Sequence, residues 1–145
     1  MLAPVAWSRP REWCRSGPER RVAFNDRGIK PKVPVMLRRT LVEHDNEPTE
    51  ISSTWSPVSV AEGTALAESE DLKQGVRRYV EAAAGTALDH IIEHITARNP
   101  TKEERTLLDV KSSATLLTVY AVTFDATGKP WVVVESVLPG DRQRA

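Results

Sequence analysis

The sequence predicts an α+β domain in which helices flank an antiparallel sheet, and three observations support this fold class. Residues 115–124 and 131–138 are rich in β-branched and aromatic side chains and are separated by turn residues, which is typical of a β-hairpin. Residues 35–42 and 48–56 form a similar pair around a turn cluster that contains Pro48. Helical patterns lie between the two hairpins, an order that favours α+β architecture.

Two helices are predicted between these hairpins. Apolar residues recur at helical spacing before Gly85, which suits a helix end: Leu72, Val76, Tyr79, Val80 and Ala83. A second, shorter helix is predicted over residues 102–110. There the Thr101 hydroxyl can accept from the third backbone N–H while Glu104 reaches back, the pattern of a capping box. Residues 58–71 are small and polar and predict a loop with a short helical turn.

Composition indicates a single domain of a cytoplasmic protein. The chain has 145 residues, with 20 basic and 20 acidic side chains and a formal net charge of zero. This balance argues against a dedicated nucleic-acid binder, which normally carries a basic excess. The one cysteine, Cys14, fits a reducing compartment. No apolar stretch reaches the roughly 20 residues of a membrane span, so we expect no membrane association.

The first 34 residues differ from the rest of the chain. They are rich in Arg, Pro and Trp and show neither helical nor strand periodicity, and five prolines would interrupt any element. We therefore expect residues 1–34 to be a disordered or non-native leader and residues 35–145 to form the domain. The basic side chains of the leader could contact phosphate, but a solvated tail is the simpler interpretation.

One motif in the middle of the chain points to a different chemistry. His90-x-x-Glu93-His94 matches a zinc-binding pattern of metallopeptidases. On a helix, residues four apart lie about 6 Å from each other, so both imidazoles would reach one metal ion. On a strand they would be roughly 13 Å apart and could not share it. The β-branched Ile95 and Thr96 and the helix start that follows favour a strand, with pocket-lining or surface histidines.

The order of elements from about residue 35 to Arg142 resembles the UTRA domain, the effector-sensing half of GntR-type bacterial transcription regulators of the HutC subgroup. The residues that carry the resemblance are spread over the chain. They are Arg38, Arg39, Glu47, Pro48, Trp55, Pro57, Gly75, Gly85, Glu93, Ile95, Ala97, Arg98, Pro100, Leu108, Asp125, Gly128, Pro130, Gly140, Asp141 and Arg142.

The resemblance implies a chorismate-lyase-like fold, a pocket for a small-molecule effector, and a homodimer. It also implies that first-strand arginines grip an anionic group, which suits the rigid fork of guanidinium donors. Arg38 and Arg39 match those positions, and because neighbours on a strand point to opposite faces, at most one should enter the pocket. The alternative is that both are solvated. Further candidate effector contacts are Ser52, Thr54, Arg77, Tyr79 and Glu135.

The chain departs from the family pattern at several places. Amino-sugar-phosphate sensors carry an acidic residue where Ser52 stands, a Ser-x-Tyr where Gly75-Val76-Arg77 stands, and a glutamate where Val132 stands. We expect an effector other than an amino-sugar phosphate, no cofactor or metal, and no catalysis. We also expect a C-terminally short regulator whose DNA contacts require a winged helix-turn-helix that this chain lacks. A zinc peptidase, a chorismate-lyase-like enzyme and a remnant that only folds or dimerises are the alternatives.

Overall fold

The structure is a computed structural model that describes residues 7–10, 15–16, 35–67 and 75–142. The strands are β1 (Trp7–Pro10), β2 (Arg15–Ser16), β3 (Val35–His44), β4 (Glu47–Pro57), β5 (Leu88–Arg98), β6 (Leu116–Asp125) and β7 (Pro130–Pro139). The α-helices are α1 (Val58–Ala61), α2 (Gly75–Ala84) and α3 (Lys102–Leu108), and short 3₁₀ turns cover Ala65–Ala67 and Gly140–Arg142. The predicted α+β class is confirmed.

The strands form one antiparallel sheet in the order β1-β3-β4-β7-β6-β5, with β2 also paired to β3. Both predicted hairpins are present, and β5 is a strand, as its sequence favours. The two hairpins are joined through β4 and β7, which pair from Ile51 opposite Val137 to Trp55 opposite Val133. Strands distant in sequence are therefore neighbours at the centre of the sheet.

Two predictions concern segments that the structure describes only in part, namely the leader and the start of α2. Within the predicted leader, the segments β1 and β2 pair with β3, although the sequence predicts no strand there. The rest of residues 1–34 lies outside the described part, so the boundary at residue 35 stays a prediction. Leu72, the predicted first apolar residue of α2, also lies outside it, and the described helix begins at Gly75.

The two faces of the sheet pack against different helices, and we name them after these helices. On the α2 face, Met36 and Val132 pack with Val60, Leu66 and Val80 from the helical segments. On the α3 face, the apolar side chains that pack together with the helix are Leu41, Ile51, Leu108, Leu116 and Val137. Because side chains alternate along each strand, each face collects every second residue.

Local hydrogen bonds define the start of α3 and the turn of the second hairpin. Thr101 accepts from the backbone N–H of Glu104 at 3.2 Å, and Glu104 accepts from the N–H of Thr101 at 2.9 Å, so the predicted capping box is confirmed. In the β6–β7 turn, Asp125 accepts from the Thr127 hydroxyl at 2.6 Å and from the Trp131 indole at 2.8 Å. The Thr127 and Trp131 hydrogen bonds hold the pKa of Asp125 well below its usual range.

Among the helices that the structure describes, none combines the length and the apolar character that crossing a membrane requires.

Candidate functional site

A group of polar side chains lies on the α2 face at the centre of the sheet. Arg38 pairs with Thr54, and Thr40 pairs with Ser52, across β3 and β4. Ser52 in turn lies opposite Ser136 of β7. Because residues directly opposite in an antiparallel pair point to the same side, these five side chains share one face. The register therefore gathers one guanidinium and four hydroxyl groups into a single polar patch, which we call the Arg38 patch.

The burial of the Arg38 patch determines how strongly its guanidinium interacts with other charged and polar groups. Arg38 is 7% exposed and Thr54 is 6% exposed, and Arg38 is engaged in an interaction within the chain. A charge this far from water interacts more strongly than one at the surface, because the local dielectric is lower. Guanidinium and hydroxyl groups together offer donors suited to the oxygens of a phosphate or carboxylate. The patch can therefore recognise an anion chemically.

Two of the candidate effector residues lie on the other side of the sheet. Arg39 pairs with Ser53, and Ser53 lies opposite Glu135, which places these residues on the α3 face. The Arg39 Nη1 atom is 3.0 Å from Glu103 Oε1 of α3. The structure therefore brings Arg38, Ser52 and Thr54 together and separates Arg39 and Glu135 from them. The two arginines thus point to opposite faces, as strand alternation predicts, and an effector contact of either one stays a prediction.

Arg77 and Tyr79, the remaining candidates, lie on α2 and have structural contacts there. The Arg77 guanidinium donates to the Leu88 carbonyl at 2.8 Å and to Glu81 at 3.3 Å. Arg77 and Glu81, together with Arg78, line an open depression at the surface of the helix. Tyr79 is half-buried and packs against the core beneath α2. A role for Arg77 or Tyr79 in effector binding stays a prediction.

The possible zinc motif lies on β5 and not on a helix. His90 pairs with Phe124 and His94 with Tyr120, whereas Glu93 pairs with Ala121 and points to the opposite face. Four residues along a strand span roughly 13 Å, so the two imidazoles cannot share a metal ion. His90 instead stacks on Phe124 with ring centroids 5.1 Å apart. The described residues contain no group of three or more His, Cys, Asp or Glu side chains placed to hold a metal.

Two members of the Arg38 patch, Thr40 and Ser136, are not among the site residues predicted from the sequence. Thr40 follows Arg38 by two residues, so strand alternation alone would have placed both on one face. Ser136 had no such signal, because its place beside Ser52 depends on the pairing of β4 with β7. That pairing joins residues that lie 78 to 86 positions apart along the chain, from Trp55 with Val133 to Ile51 with Val137.

Comparison with known proteins identifies the same kind of domain. The family model of the UTRA domain matches residues 25–144. The match begins ten residues before the predicted domain boundary at residue 35. A comparison with curated proteins finds no match.

Solved structures with the same fold come from transcription regulators. A GntR-family transcriptional regulator is 22% identical over 95% of this chain and 59% of its own, with a TM-score of 0.79. The effector domain of PhnF from Mycobacterium smegmatis is 18% identical, over 94% of this chain and 82% of that one, with a TM-score of 0.75. The ligand-binding domain of a GntR-family regulator from Bordetella bronchiseptica is 22% identical, over 96% and 89%, with a TM-score of 0.75. This chain therefore spans about three-fifths of the first regulator.

Proposed function

Because the chain belongs to the UTRA domain family, we propose that it is the effector-binding domain of a GntR-type transcription regulator of the HutC subgroup. In this proposal the domain binds a small anionic metabolite and thereby modulates transcription. It acts in the cytoplasm and has no catalytic role. It works as a homodimer and reaches DNA only through a winged helix-turn-helix domain.

The observation that carries this proposal is the burial of Arg38 among hydroxyl groups on the α2 face. A buried guanidinium is costly to desolvate, so a protein retains one where it binds an anion or stabilises a network. The four neighbouring hydroxyls add neutral donors that would complete the recognition of phosphate or carboxylate oxygens. The structural relatives named as effector and ligand-binding domains support the same use of this fold.

A thermal-shift screen with matched ligand pairs tests the anionic preference. We would compare sugar phosphates with the same unphosphorylated sugars, and organic acids with their amides. A ligand that binds only the folded chain stabilises it by about 2.7 kcal/mol at a hundredfold excess over Kd. We expect a rise in Tm for an anionic member and none for its neutral partner. Equal shifts within every pair would contradict the role of Arg38, and a cooperatively melting chain without any shift would contradict the anionic effector.

A further inference from the structure

The Arg38 patch borders a group of apolar side chains on the same face of the sheet. Thr54, a member of the patch, lies opposite Val134 of β7, and Val134 lies opposite Ala121 of β6. Val119 precedes Ala121 by two positions on the same strand. Because directly opposite residues point to the same side, and so do residues two apart on a strand, all three apolar residues share the α2 face. We call Val134, Ala121 and Val119 the apolar strip.

The rest of the fold covers the apolar strip only in part. Val132, two positions before Val134 on β7, is 3% exposed and packs with Val60 and Val80 of the helical segments. The three residues of the apolar strip are half-buried. Apolar surface that is still in contact with water gains free energy when an apolar group covers it. The apolar strip therefore suits the apolar part of a ligand whose charged part lies at the Arg38 patch.

The charge of the Arg38 patch suits an anion with a single charge. Among the described residues of β3, β4, β6 and β7, the lysines and arginines are Arg38 and Arg39, and Arg39 lies on the α3 face. One guanidinium balances the single charge of a carboxylate. A phosphate monoester carries about −1.5 to −2 charges at neutral pH and would keep an excess of negative charge at this site. A carboxylate also matches the fork of guanidinium donors.

The apolar strip distinguishes a hydrocarbon body from a sugar. A sugar held at the Arg38 patch would place hydroxyl groups against the methyl groups of Val134 and Val119, and a hydroxyl that loses water without a new partner is costly. A hydrocarbon chain meets no such cost. From β4 to β6 the sheet spans two strand spacings, about 10 Å. A chain whose carboxylate lies beside Thr54 can therefore extend across Val134 to Ala121.

We propose that the effector is a monocarboxylic acid with an extended apolar body. Its carboxylate binds the Arg38 patch, and its body lies along the apolar strip. This inference rests on the effector binding in the proposed function and deepens it by naming the chemical class of the ligand. Ala121 has the smallest side chain of the apolar strip, so the far end of the body lies over Ala121.

A homologous series of acids measures the contribution of the apolar body. Isothermal titration calorimetry with the full chain would compare butyrate, hexanoate and octanoate, each with its amide. Each buried methylene should lower Kd about fourfold, so hexanoate should bind about tenfold more tightly than butyrate. Each amide should bind much more weakly than its acid, because it lacks the charge that pairs with the guanidinium. An affinity that does not change with chain length would overturn the proposal.

Two variants test whether the body lies on the apolar strip. Ala121→Leu fills the far end of the apolar strip, and Val134→Thr replaces a methyl group with a hydroxyl. We expect Ala121→Leu to weaken octanoate about tenfold and to leave butyrate unchanged, and Val134→Thr to weaken octanoate about fivefold. Ala82→Leu at an exposed position of α2 is the matched control and should bind octanoate like the parent chain.

The Tm of each variant without ligand shows whether the variant folds like the parent. Val134→Thr keeps a β-branched side chain, so it tests the apolar strip even if the larger side chain of Ala121→Leu prevents folding. Octanoate binding that Val134→Thr leaves unchanged, or equal losses of butyrate and octanoate in a folded Ala121→Leu variant, would overturn the proposal.

The acid series separates this proposal from the proposed function. If sugar phosphates raise Tm and the acids do not bind, the domain has an anionic effector and the apolar body is wrong. If acids and amides bind alike and their affinity rises with chain length, the apolar body is supported and the anionic effector is wrong. A folded chain that binds none of these compounds contradicts both.

Discussion

The two faces of the sheet use their charged side chains differently. On the α3 face, Arg39 contacts Glu103 at 3.0 Å, and Arg98 contacts Glu104 through two hydrogen bonds of 2.7 and 2.8 Å. These charges join the helix to the strands. On the α2 face, Arg38 lies buried among the hydroxyls of the neighbouring strands. The two faces therefore differ in what the structure shows beside each arginine: glutamates of α3 on one face, and strand hydroxyls on the other.

The neighbouring residues Arg38 and Arg39 show how alternation produces this division. A change of one position along β3 moves the side chain to the other face. The two arginines have the same charge and nearly the same place in the sheet. Each is therefore a matched control for the other in experiments that compare the two faces.

The largest expected effect on stability is at Glu104, on the α3 face. This carboxylate is buried, pairs with Arg98 and completes the capping box at Thr101. We expect Glu104→Ala to lower the free energy of unfolding by about 3 kcal/mol, because it removes the partner of Arg98 and the side-chain half of the capping box. Urea denaturation monitored by circular dichroism would measure it. A loss below about 1 kcal/mol would show that ion pairs do not hold this face.

The same residue predicts how stability depends on pH. The hydrogen bonds from Arg98 hold the pKa of Glu104 below its usual range, and the same hydrogen bond raises the pKa of Arg98. A carboxyl with a lowered pKa in the folded state stabilises the fold above its unfolded pKa of about 4.3 and loses this contribution as pH falls further. The stability difference between the parent and Glu104→Gln should therefore be constant near neutral pH and shrink below about pH 4. A difference that grows on acidification would contradict this assignment.

An intermediate effect is expected at Arg142, which ties α3 to the β3–β4 turn. Its guanidinium donates to the carbonyls of Pro48, Leu108 and Asp109 and contacts Glu47 at 2.8 Å. We expect Arg142→Ala to cost about 2 kcal/mol, because several charge-assisted hydrogen bonds are lost at once. Thermal unfolding followed by calorimetry would test this, with the exposed neighbour Asp141→Ala as the control. Equal losses in both variants would argue against an anchoring role.

The smallest effect on stability is expected at Glu103, and comparing it with its buried neighbour Glu104 tests the role of burial. The side chain of Glu103 is 62% exposed, and its ion pair with Arg39 is open to water. We expect Glu103→Ala to change the free energy of unfolding by less than about 1 kcal/mol, because exposed pairs are screened and mobile. The urea titration used for Glu104→Ala measures it under identical conditions. A cost equal to that of Glu104→Ala would mean that burial does not separate the two glutamates.

Local sequence signals predicted the elements from β3 onward but not β1 and β2, because each of the predicted elements depends on residues close together in the chain. The hydroxyl of Thr101 and the carboxylate of Glu104 define the start of α3, and both of their hydrogen bonds are present. The β-branched character near Ile95 favoured a strand over a zinc-binding helix, and β5 is a strand. The UTRA resemblance is confirmed by the family match over residues 25–144.

The arrangement of the candidate site could not be predicted in the same way. Both faces of β3 carry apolar side chains, such as Leu37 on one and Met36 on the other, so alternation alone does not tell which arginine faces α2. Which of the two arginines faces α2 depends on how the strands pair and on where the helices pack. Contacts such as Ser52 with Ser136 join distant segments and leave no local pattern in the sequence.

The measurement that tests the central claim most directly compares ligand binding by Arg38→Ala and Arg39→Ala. Isothermal titration calorimetry would use the anionic compound that gives the largest shift in Tm with the parent chain. If the Arg38 patch is the effector site, Arg38→Ala weakens binding at least about tenfold, by the loss of a charge-assisted hydrogen bond, and Arg39→Ala binds like the parent. Equal small effects, or a loss confined to Arg39→Ala, would contradict the placement of the effector on the α2 face.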